Sequence, residues 1–172
     1  MADSNDTTAT TERRSERTND RREATSLSGE LLSQAKRHLD ILVYDYDEVL
    51  LPPAVLTDQL SRFMHENERN EFRLLCSETR HLQEKGGSLI ELARRFSSFI
   101  KLRQIPEEYR PVTEQFILVD DNASLRQHDF TAPGYFASFN DRATVRPLHN
   151  RFEELWQRSA AVPGIHVTGL SG

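Results

Sequence analysis

A run of apolar residues that ends in two carboxylates constrains the fold of this chain more than any other feature. Residues 116–119 read Phe-Ile-Leu-Val, and Asp120, Asp121 and the turn-forming Asn122 follow directly. Four apolar residues before a polar turn are typical of a short strand buried on both faces, rather than of a helix. A second strand at about residues 124–127 could pair with it as a hairpin. Because a buried strand can aim its terminal carboxylates into a cleft, this stretch is a candidate functional site.

The other apolar segments alternate between strand and helix spacing. Strands are predicted at about residues 41–44, 71–77, 100–105 and 134–139, and amphipathic helices at about residues 30–38, 53–67, 89–96 and 142–159. Strands that alternate with helices of this length indicate an α/β domain, a mixed sheet with helices on both faces. The chain of 172 residues is long enough for one such domain with a sizeable core.

The N-terminal segment has a different composition. Its first 28 residues are nearly all Ser, Thr, Asp, Asn, Glu and Arg, with both charge signs interspersed. Such a segment offers too little apolar surface to offset its loss of conformational entropy on folding. We therefore predict a disordered tail over residues 1–28 and a folded domain over residues 29–172, and we expect the tail to be dispensable for folding.

Charge and cysteine content narrow the classes of partner and compartment. The formal net charge is −5, which does not favour nonspecific binding to nucleic acid or to anionic membranes. Cys76 is the one cysteine, so no intramolecular disulfide can form, and this fits a reducing compartment. No apolar run is long enough to span a membrane, and no signal-peptide pattern follows Met1. We expect a cytoplasmic protein without nucleic-acid or membrane partners.

The order of the elements resembles one half of a phospholipase D-type fold. In that superfamily a buried strand carries the motif His-x-Lys-x-x-x-x-Asp. The histidine is nucleophile and acid, the lysine binds the phosphate, and two copies of the motif meet across a two-fold axis. With Asp120 aligned to the motif's aspartate, Gln115 stands at the lysine position and Thr113 at the histidine position, and the Gly-Ser pair that follows falls on Gln127 and His128. An amide cannot supply the charge of lysine, and Thr113 has no neighbouring base in sequence to activate it.

A closer resemblance is to a family of uncharacterised bacterial domains, related to that fold, which occur alone or behind a GNAT-type acetyltransferase. The similar stretches are residues 41–47, 86–106, 116–121 and 152–159. This resemblance implies a phospholipase D-like half domain with a degenerate site, no cofactor, and a non-catalytic binding or regulatory role. Because the chain carries one copy of the motif, we expect a homodimer. The linkage also suggests an acetyltransferase as a protein partner.

The segment that follows the first predicted strand favours a second interpretation. Residues 45–50, Asp-Tyr-Asp-Glu-Val-Leu, fit the Asp-x-Asp-x-Thr/Val-Leu pattern of haloacid dehalogenase-type phosphatases. In such an enzyme Asp45 would be the nucleophile and Asp47 the acid and base. Asp120 and Asp121 would bind the Mg²⁺ that offsets the negative charge of the carboxylates and the phosphate, and Asp45 and Asp47 would complete the metal site.

Other residues needed for that phosphatase chemistry fit less well. Ser77 or Thr79 could supply the phosphate-binding hydroxyl, but the required lysine would be Lys101, which lies inside a predicted strand. Two prolines, Pro52 and Pro53, also stand where that family usually carries a glycine-containing loop. The simpler interpretation is that the aspartates at strand ends cap the helices that follow.

Overall fold

The structure is a computed structural model that describes residues 12–165. The strands in chain order are β1 (Arg14–Thr18), β2 (His38–Val43), β3 (Glu71–Cys76), β4 (Ile100–Gln104), β5 (Gln115–Val119), β6 (Ala123–Gln127), β7 (Tyr135–Phe139) and β8 (Ala160–Ala161). The helices are α1 (Arg21–Gln34), α2 (Pro53–Glu66), α3 (Arg80–Lys85), α4 (Gly87–Arg95) and α5 (Arg142–Arg158), and a short 3₁₀ turn covers Glu107–Tyr109.

All eight strands form one mixed sheet in the order β1-β7-β6-β5-β2-β3-β4-β8. Strands β2, β3 and β4 are parallel to one another, as crossover helices require, whereas β5, β6 and β7 form an antiparallel meander. The two halves join where β5 pairs antiparallel with β2. Every residue of β5 is buried and the β5–β6 hairpin turns at residues 120–122, so both sequence predictions for this stretch are confirmed.

Helices cover both faces of the sheet, as the sequence predicted. Buried side chains of α1, α2, α3 and α4 pack on one face, and those of α5 pack on the other. On β5 the alternation is direct, because Ile117 and Val119 belong to the first core and Phe116 and Leu118 to the second. No helix within residues 12–165 is long and apolar enough to cross a membrane.

Helix α5 is held to the sheet by an arginine as well as by apolar contacts. The guanidinium of Arg73 on β3 donates to both oxygens of the buried Asp40 carboxylate, at 2.7 and 3.1 Å, and also bonds Glu153. It lies over the rings of Phe152 and Trp156, 4.9 and 5.1 Å from their centroids. Hydrogen bonding to Arg73 holds the pKa of Glu153 below its usual range. The network therefore fixes α5 in register with β2 and β3.

The prediction of a disordered tail is wrong for residues 12–28, and residues 1–11 lie outside the described residues. Strand β1 pairs with β7, and helix α1 begins at Arg21 with Asp20 as its N-cap. The strand is polar because it lies at the edge of the sheet, where its side chains need not be buried. Two of its arginines lie over β7 aromatic rings, Arg14 over Phe139 at 4.1 Å and Arg17 over Phe136 at 4.4 Å.

The remaining differences concern short elements. Helix α3 and strand β8 were not predicted, because six and two residues are too few to show a period. The predicted helix over residues 30–38 is in fact the C-terminal part of α1, which ends at Gln34, and β2 begins earlier than predicted, at His38. Pro147 lies inside α5, which begins at Arg142.

The docking of residues 12–28 can be tested by placing a charge in the N-terminal half of α1. The side chain of Ala24 is fully buried in the core, so Ala24→Asp should lower the free energy of unfolding by about 3 kcal/mol or more. Ser26 lies in the same helix and is exposed, so the matched control Ser26→Asp should change stability by less than about 0.5 kcal/mol. Urea unfolding followed by circular dichroism measures both. Equal stability of the two variants would contradict the docking of this segment.

Candidate functional site

The motif positions lie where the C-terminal end of β2 meets the N-terminal end of β5. These ends coincide because the two strands are antiparallel, with Leu42 opposite Phe116. Strand β6 returns beside β5 and places Gln127 directly opposite Gln115. The structure therefore brings together the segment after β2, the predicted lysine position and the first position of the predicted Gly-Ser pair.

The carboxamide of Gln115 is the centre of this site. Its side chain is 1 % exposed, and its oxygen accepts the backbone N–H of Tyr44 at 2.9 Å. Its nitrogen donates to Asp47 Oδ2 at 3.0 Å and to Gln127 Oε1 at 2.8 Å. Both amide hydrogens are thus used within the protein. The buried side chain at the lysine position is neutral, and its donors are not free for a phosphate.

Gln127 extends the same network toward the loop that follows β6. Its side chain is 3 % exposed, and its nitrogen donates to the carbonyl oxygens of Phe130 and Ala132. The two glutamines therefore form a buried chain of amides from β2 to the loop after β6. In the sequence, the signal for this pair was two glutamines at positions that the superfamily motif assigns to other residue types.

Thr113, at the predicted histidine position, contacts the same loop. Its backbone carbonyl accepts the N–H of Phe130 at 2.8 Å. Hydrogen bonds from the side chain and backbone of Thr131, and from the Thr113 side chain, hold the pKa of Asp129 below its usual range. The hydroxyl of Thr113 therefore faces a carboxylate that is a poor proton acceptor, and a poor base does not generate an alkoxide nucleophile.

A small polar cavity opens beside Thr113. Its volume is about 300 Å³, and its lining includes Glu114, His128, Asp129 and Arg151. Arg151 donates to Glu114 at 2.9 Å, so the one arginine of this lining is neutralised by an ion pair. His128, at the second position of the predicted Gly-Ser pair, is exposed. With two carboxylates and one arginine in its lining, the cavity has no excess of positive charge for an anion.

Two aromatic rings stack next to the glutamine network. Tyr44 and Phe130 have ring centroids 4.0 Å apart and an interplanar angle of 8°. Phe130 is 36 % exposed, which makes it one of the few large apolar side chains at the described surface. The sequence interpretation did not single out either residue, because they are 86 positions apart and only the fold brings them together.

Asp45 is a helix cap in this structure. Its carboxylate is 7 % exposed and accepts the backbone N–H groups of His81 at 2.9 Å and Leu82 at 3.1 Å. These are N–H groups of the first turn of α3, which receives no hydrogen bond from the side chain of its own N-cap, Thr79. Asp47 accepts from Val49 at 2.7 Å in the turn after β2. The capping interpretation fits Asp45, although the helix that it caps follows β3 and not β2, whereas Asp47 binds N–H groups of a turn and caps no helix.

Asp120 and Asp121 lie at the opposite end of the sheet from Asp45 and Asp47. Asp120 has a positive φ of 54°, and its carboxylate accepts the N–H groups of Arg37 at 2.9 Å and His38 at 3.1 Å. Asp121 is exposed, 3.7 Å from Arg142. Antiparallel pairing of β2 and β5 places the C-terminal ends of these strands at opposite edges. The expectation that these four aspartates form one magnesium site is therefore wrong for this structure.

The other residues of the phosphatase interpretation are only partly brought together, since the N–H of Ser77 donates to the Val43 carbonyl at 3.1 Å beside the end of β2. Ser77 is fully buried, and its hydroxyl accepts the N–H of Val112 at 3.1 Å. Lys101 lies within β4, as predicted, and β4 is separated from β2 by β3. Within residues 12–165 no group of three or more His, Cys, Asp or Glu side chains is arranged to hold a metal ion.

Comparison with known families identifies the chain. Residues 20–167 match a family described as a domain of unknown function, DUF7931. The match covers most of the 172 residues. The chain belongs to the DUF7931 family. No curated protein sequence matches this DUF7931 domain. The matched region begins at residue 20, and α1 begins at Arg21, so the match includes the whole helix. This agrees with the docking of α1 in the structure.

Solved structures with the same fold come from the phospholipase D family. Nuc from Salmonella typhimurium, described as a phospholipase D family member, aligns with a TM-score of 0.63 at 12 % identity, over 88 % of the DUF7931 domain chain and 99 % of its own. NucT from Helicobacter pylori aligns with a TM-score of 0.62 at 11 % identity, over 88 % and 100 %. These likenesses confirm the predicted phospholipase D-like fold.

A third structural neighbour is archaeal. TrmBL2, described as an archaeal chromatin protein with a novel mode of DNA binding, aligns with a TM-score of 0.65 at 15 % identity. The alignment covers 87 % of the DUF7931 domain chain and 54 % of TrmBL2, so this chain spans about half the length of that neighbour. The GNAT-type linkage suggested by the sequence has no counterpart among these findings and stays a prediction.

The amide network of the DUF7931 domain can be tested by a double-mutant cycle. Gln115→Leu leaves a buried N–H of Tyr44 without its acceptor, so it should lower the free energy of unfolding by about 2–3 kcal/mol. Gln127→Leu should cost about 1–3 kcal/mol for the same reason. Because the two side chains bond each other at 2.8 Å, the double variant should lose about 1 kcal/mol less than the sum.

Gln104 on β4 provides the control for this cycle. It makes one long side-chain hydrogen bond, to the Ser77 carbonyl at 3.3 Å, so Gln104→Leu should cost less than about 1 kcal/mol. Gln104→Leu combined with Gln115→Leu should be additive. Additive losses in the Gln115–Gln127 pair as well would show that the two amides do not act together.

Proposed function

We propose that this DUF7931 domain is a non-catalytic, phospholipase D-like binding module. Its motif face, the surface at the motif positions Thr113 and Gln115, pairs with a second copy of the chain. The observation that carries the proposal is the Gln115 carboxamide, which is buried at the lysine position and donates both hydrogens to Asp47 and Gln127. A site for phosphoryl transfer needs positive charge at the transferred group. Here the corresponding side chain is neutral and its donors are already bonded.

The residue at the histidine position supports the same reading. The hydroxyl of Thr113 bonds Asp129, and hydrogen bonding holds the pKa of that carboxyl below its usual range. The nearby Arg151 is paired with Glu114. A phosphodiester would therefore meet neither an activated nucleophile nor an unpaired arginine in this cavity. The geometry thus favours a domain that binds a partner and does not turn over a phosphodiester.

The stacked pair of Tyr44 and Phe130 supplies an apolar surface at the motif face. Partly exposed aromatic side chains of this kind are enriched at protein interfaces, where they lose their remaining contact with water. The phospholipase D-type resemblance places two motifs across a two-fold axis, and this chain carries one. A second copy would bring the same aromatic pair to the same axis, because a two-fold interface uses one surface patch on both subunits.

Two partner expectations lie outside this proposal. The absence of nucleic-acid binding stays a prediction from the net charge of −5, and the description of TrmBL2 as DNA-binding does not support it. An acetyltransferase partner also stays a prediction.

The phosphatase alternative is not favoured by the geometry, because backbone N–H groups of α3 already occupy both oxygens of Asp45.

The loss of catalysis predicts that the purified chain does not hydrolyse bis(4-nitrophenyl) phosphate above the buffer blank. Thr113→Ala and Asp120→Asn should give the same rate as the wild type, which separates the chain's own activity from a contaminant. A second assay uses 4-nitrophenyl phosphate with Mg²⁺, where wild type and Asp45→Asn should likewise be equal. Wild-type turnover that disappears in Thr113→Ala would contradict the proposal, and turnover that disappears in Asp45→Asn would establish the phosphatase.

Pairing across the motif face predicts a mass near twice 19.8 kDa in light scattering at micromolar concentration. Phe130→Asp would place a charge at the axis and should return the mass to that of one chain. Phe136 is similarly exposed but points to the face covered by α5, so Phe136→Asp should leave the dimer intact. A wild-type mass near 19.8 kDa that does not change on a tenfold rise in concentration would end the dimer proposal.

A further inference from the structure

A second cavity lies on the opposite face of the strands that carry the glutamine network. Its volume is about 310 Å³, and it lies between strands β6 and β7 and the first half of helix α5. Gln127 belongs to the same strand but is on the other face, because side chains alternate along a strand. The cavity shares no lining residue with the cavity beside Thr113.

The cavity exists because two small side chains stand where the neighbouring strand carries large ones. On this face Phe116 and Leu118 of β5 are buried against α5, and Arg126 and Ser124 are their partners on β6. Ser124 in turn lies opposite Ser138 on β7. The two serines leave a depression in the sheet surface, and Leu148 of α5 forms one wall above it.

Two buried polar atoms of this lining have no hydrogen-bond partner among residues 12–165. They are Nε of Arg126 and Oγ of Ser138. Ser138 is 6 % exposed, so its hydroxyl is removed from bulk water. A buried polar group without a partner costs free energy, and most native proteins avoid it. The ligand that would remove this cost has an acceptor that both groups can reach.

The rest of the lining defines the body of such a ligand. Phe136, Pro147 and Leu148 present apolar surface, and no carboxylate lines the cavity. The planar donors of a guanidinium match both a carboxylate and a phosphate, but a single guanidinium balances one negative charge, which favours a monocarboxylate over a more highly charged phosphate. The volume is at the lower end of the range for small-molecule sites. One ring or one branched aliphatic group fits this combination.

We propose that this cavity is a binding site for a small organic monocarboxylate that carries one apolar group. The carboxylate accepts from Arg126 Nε and from the Ser138 hydroxyl, and the apolar group packs against Phe136 and Leu148. The two polar groups of this site are on the other side of the sheet from Gln115, and Arg126 Nη2 lies 3.5 Å from Nδ1 of His128, a residue of the cavity beside Thr113. The site assigns this module a small-molecule ligand in addition to a protein surface.

Benzoate is the probe for this site, because it combines a carboxylate with one aromatic ring. Titration of the ¹⁵N-labelled full chain should give saturable shifts with a Kd on the order of 1 mM, as expected for so few ligand atoms. The Nε–Hε resonance of Arg126 should move with the same midpoint as the backbone amide of Ser138. Benzamide has the same shape without the charge, and it should bind at least about fivefold more weakly.

Three variants separate this site from nonspecific binding. Arg126→Gln should weaken benzoate binding at least about fivefold, because the charged donor is lost. Arg17→Gln is the matched control: this arginine lies over the Phe136 ring at 4.4 Å but does not line the cavity, so Kd should change less than about twofold. Ser138→Ala should weaken binding while leaving the melting temperature equal or higher, because it removes a buried hydroxyl without a partner.

Ser138→Ala should lower the affinity for benzoate without lowering the melting temperature. This variant therefore keeps the test decisive if Arg126→Gln does not fold. No saturable shift with benzoate up to about 20 mM would overturn the proposal, since that concentration is well above the expected Kd. So would equal affinity of wild type and Ser138→Ala, or a midpoint at Arg126 that differs from that at Ser138. Binding of benzamide as tight as benzoate would remove the carboxylate from the assignment.

Discussion

The carboxamide of Gln115 determines how the two halves of this sheet meet at the motif face. It accepts the N–H of Tyr44 at the exit of β2 and donates to Asp47 in the next turn and to Gln127 on β6. The segment after β2 and strand β6 thus share one planar group on β5 whose hydrogens are all used. A charged lysine at this buried position would need an unpaired anion or solvent. The neutral amide allows this position to be buried without an uncompensated charge, which is compatible with the proposed interface.

Antiparallel pairing of β2 with β5 decides which carboxylates can work together. Parallel strands would have gathered their C-terminal aspartates at one edge, where they could have formed the metal site that the phosphatase interpretation requires. Instead Asp45 and Asp47 lie beside Gln115, whereas Asp120 lies at the far edge and binds the N–H groups of residues 36–38. Each aspartate thus satisfies backbone donors near its own strand end. The same residue types would support metal chemistry only in a different topology.

The central strands of the sheet could be predicted because they contain short runs of buried apolar residues, as at 116–119 and 74–76. The N-terminal segment could not, because an edge strand needs no apolar side chains and the buried face of α1 begins with Ala24, Leu27 and Ser28. The helical spacing of these residues was present in the sequence, but alanine and serine carry little hydrophobic signal. At the site, the motif positions could be predicted from the resemblance. The Tyr44–Phe130 stack could not, because tertiary structure alone makes this contact.

Strands β5 and β6 contrast in how their two faces satisfy polar groups. On the face covered by helices α1 to α4, Gln115 and Gln127 form hydrogen bonds with each other and with the backbone around them. On the α5 face, Arg126 Nε and Ser138 Oγ are buried without partners in the described chain. Buried polar groups with all their hydrogen bonds made rigidify a protein. Buried polar groups without partners cost free energy, and a ligand can remove that cost. The face that resembles a catalytic site is therefore the more fully satisfied one. The capacity to bind a small molecule lies on the face that no motif marks.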